Sequence, residues 1–276
     1  MSDIELHLFR IKFIRPSQTS WLHDQKSASE LFKEAISAKP SSEFRQDYIW
    51  HIGNIKKIDE NGGSLAVGRT TKTTVSKYDI ESGNFVEEYF EESPYTICLY
   101  DLRIGFLAIA KKSKLSPSSA GIASKLKKLI DTTHVVRVNE IEVRIDPISD
   151  PTGFIQKLSS AYALKRFTAH FTGPNPTDAD ELFQKPISIY CQAVNGVSGK
   201  VVTDGDSLNQ DVVVGVTKSV AATGNEASAK IIERQGQRAK NIHLRGDPAK
   251  RTFDDDKFSE EMALKEMRSE YERIRG

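Results

Sequence analysis

The stretch from residue 45 to residue 110 constrains the fold most, because apolar and polar residues alternate along it between strong turn signals. Alternation with a period of two is typical of strands that bury one face. Glu60-Asn61-Gly62-Gly63 and Ser82-Gly83-Asn84 interrupt this alternation, and such Asn- and Gly-containing turns favour hairpins. The stretch therefore predicts an antiparallel meander.

An opening strand and a short helix are predicted ahead of this meander. Residues 4–14 alternate between apolar and polar side chains, which indicates the strand. Ser27 and Glu30 have the spacing of a capping box, in which each side chain bonds the backbone N–H of the other residue. An apolar stripe at helical spacing follows, so a helix is predicted at about 28–38.

In the second half of the chain, predicted helices alternate with predicted strands. Ser116-Pro117 and Asp150-Pro151 each combine a capping side chain with a proline at the first helical position, and each predicts a helix start. Alternation at 141–145 and at 167–171 predicts two strands. Together with a strand at 104–110, these segments predict a β-α-β-α-β region.

The last third is predicted to contain three helices, one loop and one strand. In chain order they are a helix at 178–193, a glycine-rich loop at 196–206, a helix at 212–224, a strand at 230–244 and a tail helix at 256–274. Pro186 is expected near a boundary or a kink of the first of these helices. The β-branched residues of 212–224 also fit a strand, but valines on one helical face favour the helix.

These patterns predict an α+β protein with an antiparallel β-rich N-terminal half, a β-α-β-α-β region and C-terminal helices. The predicted boundary falls at residue 110. It separates a β-rich region, 1–110, from an α+β region with the C-terminal helix, 111–276, unless both form one integrated domain.

Cysteine usage and hydropathy predict a cytoplasmic protein without a membrane partner. The chain has 276 residues but only two cysteines, Cys98 and Cys191, which is too few for a disulfide framework. Charged residues interrupt every apolar run near the N-terminus, so no signal peptide is predicted. No stretch approaches the roughly 18 apolar residues needed to span a bilayer.

No familiar catalytic motif is present in the sequence. Phosphate-binding loops, dinucleotide fingerprints and zinc-binding pairs are all missing, and the six histidines are scattered. Three acid-x-base triplets have a spacing that resembles nuclease sites: 24–26, 142–144 and 255–257. Solvated charge explains them more simply, so we expect no metal site and no cofactor. Catalytic residues remain unassigned, and an enzyme is disfavoured.

Local clusters of positive charge are the strongest functional signal, because the formal net charge is only +1. The residues predicted to contact nucleic-acid phosphates are Lys111, Lys112, Lys114, Lys125, Lys127 and Lys128 in a first cluster and Arg234, Arg238, Lys240 and Arg245 in a second. A smaller third set is Arg69, Lys72 and Lys77. The alternative is that these charges simply face water, and that the acidic 254–261 stretch pairs with the basic residues of 230–251.

Segments of the second half carry a resemblance to a known family. They are Lys112-Ser113-Lys114-Leu115-Ser116-Pro117, Ile145-Asp146-Pro147 and the stretches 150–158, 165–176, 178–182 and 216–230. In these segments the chain resembles an uncharacterised bacterial family known only as a domain of unknown function. The resemblance implies no catalytic residues, because none is established for the family. It does imply an association with phage-defence neighbourhoods.

Three functions follow as hypotheses. The first is an anti-phage defence component that binds or senses nucleic acid, which requires the basic clusters to meet on one surface. The second is a protein-interaction or homo-oligomeric assembly subunit of a defence complex, using exposed strand edges and the tail helix. The tail carries an apolar stripe that either docks on its own domain or receives a partner. The third is a divergent metal-dependent nuclease.

Overall fold

The computed structural model describes residues 3–15, 26–172, 183–194, 196–245 and 248–276. The strands in these ranges are β1 (Asp3–Ile14), β2 (Ser41–Arg45), β3 (Tyr48–Lys57), β4 (Gly62–Asp79), β5 (Asn84–Glu92), β6 (Tyr95–Asp101), β7 (Phe106–Ala110), β8 (Glu142–Pro147), β9 (Ala163–Thr172), β10 (Ser198–Asp204), β11 (Ala227–Ile232), β12 (Lys240–Leu244) and β13 (Lys250–Asp254). The helices are α1 (Ala28–Ser37), α2 (Ser119–Asp131), α3 (His134–Val138), α4 (Thr152–Ser159), α5 (Gln184–Ala193), α6 (Gln210–Ala222) and α7 (Glu260–Arg275). The predicted α+β class is confirmed.

Two antiparallel sheets organise these elements. The large sheet has the order β13-β1-β7-β6-β4-β3-β2, with β8 also paired to β1 and β5 paired to the outer part of β4. The small sheet has the order β10-β9-β11-β12. The predicted hairpin turns join β3 to β4 and β4 to β5, so most of the meander is confirmed.

β1 lies inside the large sheet and is buried on both faces. Leu6 and Leu8 belong to one hydrophobic core, whereas Phe9 and Phe13 belong to the other. β7 pairs along one edge, and β13 and β8 share the opposite edge. Because successive side chains of a strand point to opposite faces, one strand serves two cores.

Each face of the large sheet is covered by a different layer. Helices α1, α2 and α3 cover one face, with Leu31, Leu126 and Val135 in the shared core. On the opposite face, helices α4, α6 and α7 and the small sheet enclose the other core. We call the face covered by α1, α2 and α3 the helix side, and the opposite face the small-sheet side. Burial of large apolar side chains stabilises each layer by about 1.5–3 kcal/mol per side chain.

Two helices begin later than predicted. α2 is capped by Ser118 instead of Ser116, and the Ser118 hydroxyl accepts a 3.2 Å hydrogen bond from the backbone N–H of Gly121. The preceding residues form a turn on the Lys112 carbonyl that buries Leu115 in the core. α4 begins at Thr152, and the carboxylate of Asp150 accepts a hydrogen bond from its backbone N–H.

Two predictions for the last third are wrong. The expected loop contains strand β10, in which Gly199 pairs with Phe171. A Cβ on Gly199 would lie 2.2 Å from the Phe171 ring, so the ring occupies the space that a side chain would need. The expected strand at 230–244 is a hairpin of β11 and β12, because the turn between them passes through Gly236, whose φ of 81° favours glycine.

The helices at the C-terminal end agree with the predictions where they are described. α6 confirms the helical interpretation of 212–224. Pro186 lies in the first turn of α5, where proline is tolerated, and the predicted start at 178 lies outside the described residues. The apolar stripe of α7 packs on its own fold through Met267, Tyr271 and Ile274, although Met262 is exposed. Within the described ranges, no helix has both the length and the hydropathy to cross a membrane.

Candidate nucleic-acid interface

The first basic cluster lies on the helix side of the large sheet. Lys111, Lys112 and Lys114 follow β7, and the three remaining lysines are on α2. α2 buries Leu126 and Leu129 against the sheet, so the lysines between and beside them lie at the rim of the core. Chain connectivity from β7 into α2 therefore places all six in one region.

Arg69 on β4 joins this region to the neighbouring strands. Its guanidinium donates hydrogen bonds to the carbonyls of Lys114, at 2.9 Å, and Leu115, at 3.4 Å. Its Cζ also lies 4.8 Å from the ring centroid of Tyr48 on β3, and Cζ of Arg45 lies 5.3 Å from the same ring. One tyrosine therefore holds two guanidinium groups beside the lysine segment, through cation–π contacts.

Phe44 on β2 makes an equivalent platform for α2. Nζ of Lys125 lies 5.4 Å from its ring centroid and Nζ of Lys128 lies 5.7 Å from it. Burial, with a smaller contribution from the charge of Lys128, lowers the pKa of Lys125. We define the basic–aromatic surface as Phe44, Arg45, Tyr48, Arg69, Lys112, Lys114, Lys125 and Lys128.

Acidic residues neutralise part of the first cluster. The ammonium of Lys127 pairs with Asp131 at 2.6 Å, and that of Lys111 approaches Glu5 at 4.0 Å. Lys114 pairs with Glu92 at 3.4 Å, and both side chains are largely exposed, so that pair contributes at most about 1 kcal/mol. Lys112 has no ion pair in the described part of the chain, and it is exposed.

The second basic cluster belongs to the small-sheet side. Arg234 and Arg238 are exposed in the turn between β11 and β12, and Lys240 pairs with Glu233. Arg245 follows β12 and lines a cleft between the two sheets. The hairpin buries its apolar side chains in the core on this side, whereas α2 buries its own in the other. The two clusters therefore lie in different layers instead of one shared trough.

Three members of the basic–aromatic surface were missed in the sequence: Phe44, Arg45 and Tyr48. Their alternation of aromatic and basic residues around a tight turn was a usable signal, because such interleaving is typical of single-strand binding surfaces. In sequence Arg69 belongs to the separate third set, and only the hydrogen bonds from its guanidinium to the carbonyls of Lys114 and Leu115 show that it contacts the lysine segment.

The nuclease-like triplets occupy separate places. Glu142 and Arg144 are on β8, and Asp255–Lys257 form a short 3-10 helix before α7. The triplet at 24–26 lies mostly outside the described residues. In the ranges that are described, no three His, Cys, Asp or Glu side chains are grouped so that they could hold a metal ion.

Comparison with curated proteins finds no match. Comparison with protein families matches residues 22–269 to a domain of unknown function, DUF4747. This range includes every residue of the basic–aromatic surface, and it confirms the expected resemblance to a family of unknown function. The chain thus belongs to the DUF4747 family.

Proposed function

We propose that this protein binds the phosphate backbone of a nucleic acid through the basic–aromatic surface. The observation that carries the proposal is the pair of guanidinium groups, of Arg45 and Arg69, that both contact the ring of Tyr48 next to the lysines that precede α2. Exposed Arg45 can donate to phosphate oxygens, whereas Arg69, whose Nη atoms donate to the carbonyls of Lys114 and Leu115, adds positive charge. The lysines add salt-dependent attraction.

The surface is suited to binding that is largely independent of sequence. Most of its cations come from strands and a helix that are fixed by the core, and Lys112 and Lys114 come from the turn between β7 and α2 to which Arg69 is hydrogen-bonded. Little ordering of the backbone is therefore needed when a nucleic-acid strand binds. A phosphate can replace Glu92 at Lys114, because that exposed ion pair is weak. Aromatic side chains near the cations favour single strands, whose bases are free to stack.

The proposal includes a biological setting, which is anti-phage defence in bacteria. The resemblance described from segments such as Ile145-Asp146-Pro147 supports this setting by association with defence neighbourhoods. A bacterial host that expresses the chain is expected to show lower plating efficiency of at least one phage. Unchanged plating across a broad phage panel would remove the defence role and leave the binding proposal intact.

The binding test compares the two basic clusters directly. Fluorescence anisotropy with labelled single-stranded DNA and RNA, across a salt series, measures affinity and its salt slope. The double variant Lys112→Gln/Lys128→Gln is expected to weaken binding and to reduce the slope by about one for each lysine. The matched control is Arg234→Gln/Arg238→Gln, which removes two exposed arginines from the small-sheet side.

The control also decides which surface binds. We expect the control variant to retain wild-type affinity at every salt concentration. If only the arginine variant loses affinity for nucleic acid, the binding site lies on the small-sheet side and the basic–aromatic surface is rejected. Wild-type protein that binds neither nucleic acid at low salt would reject nucleic-acid binding altogether.

We further propose an assembly role for the hairpin arm, defined as residues 71–92 of β4 and β5. This part of β4 pairs with β5 and extends past the pairing with β6, which ends at Gly68. Apolar side chains are exposed on both faces of the arm, with Phe85 and Tyr89 each 80% exposed. Isolated two-stranded hairpins are only marginally stable in water, so a covering partner would stabilise the arm.

A second copy of the chain is the proposed partner of the arm. Within one arm Lys72 lies opposite Glu91, and Lys77 lies 3.7 Å from Glu88. These side chains are exposed and such pairs are weak, so they can be exchanged for pairs with the arm of a second copy. Light scattering is expected to show an oligomer that Phe85→Ser/Tyr89→Ser converts to monomer. Ile189→Ser, at an exposed apolar position on α5, is the matched control. A monomeric wild-type protein at high concentration would end this proposal.

A further inference from the structure

A cleft separates the large sheet from the small sheet at the end of α6. Its volume is about 390 Å³, within the range of small-molecule sites. The polar side chains that line it and bear on its chemistry are Arg144, Asp146, His170, Asn225, Glu226 and Arg245. They come from β8, β9, the loop after α6 and the end of β12, so only the folded chain brings them together.

The pattern of β1 explains why this cleft is polar. Leu6 and Leu8 face the core on the small-sheet side, and the next residues on that face are Arg10 and Lys12. Lys12 lies opposite Arg144 on β8, and Arg10 lies opposite Asp146. The first half of β1 pairs with β13 and is apolar on this face, whereas the second half pairs with β8 and is charged on the same face.

A buried network fixes the floor of the cleft. The ammonium of Lys12, which is only 6% exposed, lies 3.2 Å from Asp146 and donates a 3.2 Å hydrogen bond to Oδ1 of Asn225. Nδ2 of Asn225 donates to the hydroxyl of Thr223. Burial lowers the pKa of Lys12, although Asp146 opposes this effect. These contacts tie the end of α6 to the large sheet and hold the polar wall in place.

Gly224 permits this close approach. Its φ is 65°, and a Cβ there would lie 3.0 Å from Cβ of Asp146 and 3.2 Å from Cβ of Arg10. A glycine is required on both grounds, conformation and space. The cleft is consequently preformed by backbone geometry instead of depending on a flexible loop.

Cations outnumber carboxylates at the cleft once the buried Lys12 is counted, because Lys12, Arg144 and Arg245 face only Asp146 and Glu226, and this net positive charge favours an anion. Asp146 already contacts two cations, Lys12 at 3.2 Å and Arg144 at 3.8 Å, so its own charge is largely compensated. Arg245 has no ion pair or hydrogen bond among the described residues, and the 3.8 Å contact leaves Arg144 with free donors. The guanidinium groups of Arg144 on β8 and Arg245 after β12 line the cleft together with His170 on β9, and they present donors for a doubly charged oxyanion.

We infer that this cleft binds the terminal phosphate of a nucleotide, with Arg144 and Arg245 as the phosphate-binding residues. Glu226 lies on the same wall and supplies a carboxylate that can accept hydrogen bonds from sugar hydroxyls or a base. Asn225 bonds Lys12 and Thr223 and keeps one N–H for a ligand. The volume suits one nucleotide and is too small for a duplex. The site is separate from the basic–aromatic surface and does not depend on it.

Calorimetry with four probes tests this inference on the full chain. Adenosine 5′-monophosphate is expected to bind, whereas adenosine, which lacks only the phosphate, is expected not to bind. A 5′-phosphorylated oligonucleotide is compared with its 5′-hydroxyl form. The oligonucleotides are measured with the Lys112→Gln/Lys128→Gln variant, so that the basic–aromatic surface does not contribute, and a terminal-phosphate site must favour the 5′-phosphorylated form over the 5′-hydroxyl form. With that preference present, tighter binding of the oligonucleotide than of the mononucleotide would assign the site to strand ends, and the reverse order would assign it to free nucleotides. Either order supports a terminal-phosphate site.

Variants connect the binding to the two arginines. Arg144→Gln and Arg245→Gln are each expected to weaken binding of the mononucleotide about tenfold or more, since each removes a charge-assisted donor. Arg238→Gln, an exposed arginine on the same hairpin as Arg245, should bind as the wild type does, and thermal unfolding checks that all variants fold. Lys112→Gln/Lys128→Gln should also bind the mononucleotide normally, which separates this site from the nucleic-acid surface. Equal binding of adenosine, or an equal loss in Arg238→Gln, would overturn the inference.

Discussion

Nε of Arg268 in α7 donates a 2.6 Å hydrogen bond to Oδ2 of Asp101 at the end of β6. Asp101 is 1% exposed, and its other oxygen accepts hydrogen bonds from the backbone N–H groups of the turn that follows. The same guanidinium binds Asp59 in the turn between β3 and β4. One arginine therefore fastens the last helix to two turns of the large sheet.

Replacement of Arg268 by glutamine should destabilise the fold at neutral pH. The change leaves the buried carboxylate of Asp101 without its cation, and we expect a loss of about 2–3 kcal/mol in the free energy of unfolding, because Arg268 itself is partly exposed and the pair is not fully buried. Urea denaturation measures the loss. Lys265→Gln, at an exposed position on the same helix, should change stability little and serves as the control.

The effect of Arg268 should also depend on pH. The hydrogen bond from Arg268 is the main reason that the pKa of Asp59 falls from its ordinary 3.8 to about 2. A carboxylate with a depressed pKa stabilises the folded state above its unfolded pKa, and that stabilisation is lost as the pH falls toward the folded pKa. The stability gap between wild type and Arg268→Gln should therefore narrow between pH 3.8 and about 2. A gap of constant size would contradict this coupling.

Alanine at position 224 should destabilise the protein more than alanine at position 236. Both glycines have positive φ, but a Cβ at 224 would approach Asp146 and Arg10, whereas a Cβ at 236 meets nothing within 4 Å. Gly236→Ala should cost about 1 kcal/mol of backbone strain, and Gly224→Ala should cost more, because the end of α6 must also move away from the large sheet. Equal midpoints in thermal unfolding would show that the close approach is unimportant.

The two cysteines should differ in reactivity. Burial raises the pKa of the Cys98 thiol, and Cys98 is fully enclosed, whereas Cys191 is partly exposed. Because the thiolate is the reactive form, a thiol reagent should modify Cys191 in the native protein and Cys98 only after unfolding. Cys191→Ser should abolish the native reaction. Rapid native labelling of that variant would mean that the core around Cys98 opens readily.

Lys12→Met should change how stability varies with alkaline pH. Burial lowers the pKa of Lys12 below its ordinary 10.5, so the unfolded chain binds this proton more tightly than the folded chain does. Folding is then favoured as the pH rises from the folded pKa toward 10.5. The stability of the wild type relative to Lys12→Met should increase over this range. Lys33→Met, at an exposed position on α1, should show no such trend.

Local sequence patterns were sufficient for most individual elements. The capping box of α1 forms as expected, with Ser27 and Glu30 bonding each other's backbone N–H groups. The sequence-based prediction is wrong where a long-range contact decides the structure. Gly199 resembles a loop residue in sequence, and only the Phe171 ring across the strand pair explains why it lies in a strand.

The sites depend on information that sequence spacing does not contain. α2 packs on one face of the large sheet and the β11–β12 hairpin packs on the other. The connections between the elements decide these faces, so the charges alone do not predict that the two basic clusters are separated. The cleft did leave a signal in β1. Its apolar positions change phase after Leu8, which is what a strand buried on both faces produces when one face turns polar at Arg10 and Lys12.

The position of β1 between strands from distant parts of the chain has a consequence for biosynthesis. Leu6 pairs with Arg251, and the hydroxyl of Tyr271 accepts a hydrogen bond from Arg10, so this segment leaves the ribosome long before those neighbours exist. Until residues 250–254 arrive, one edge of the strand is open to other nascent chains. The fraction of nascent chains that bind chaperones or are degraded during translation should therefore depend on how quickly β13 and α7 are synthesised.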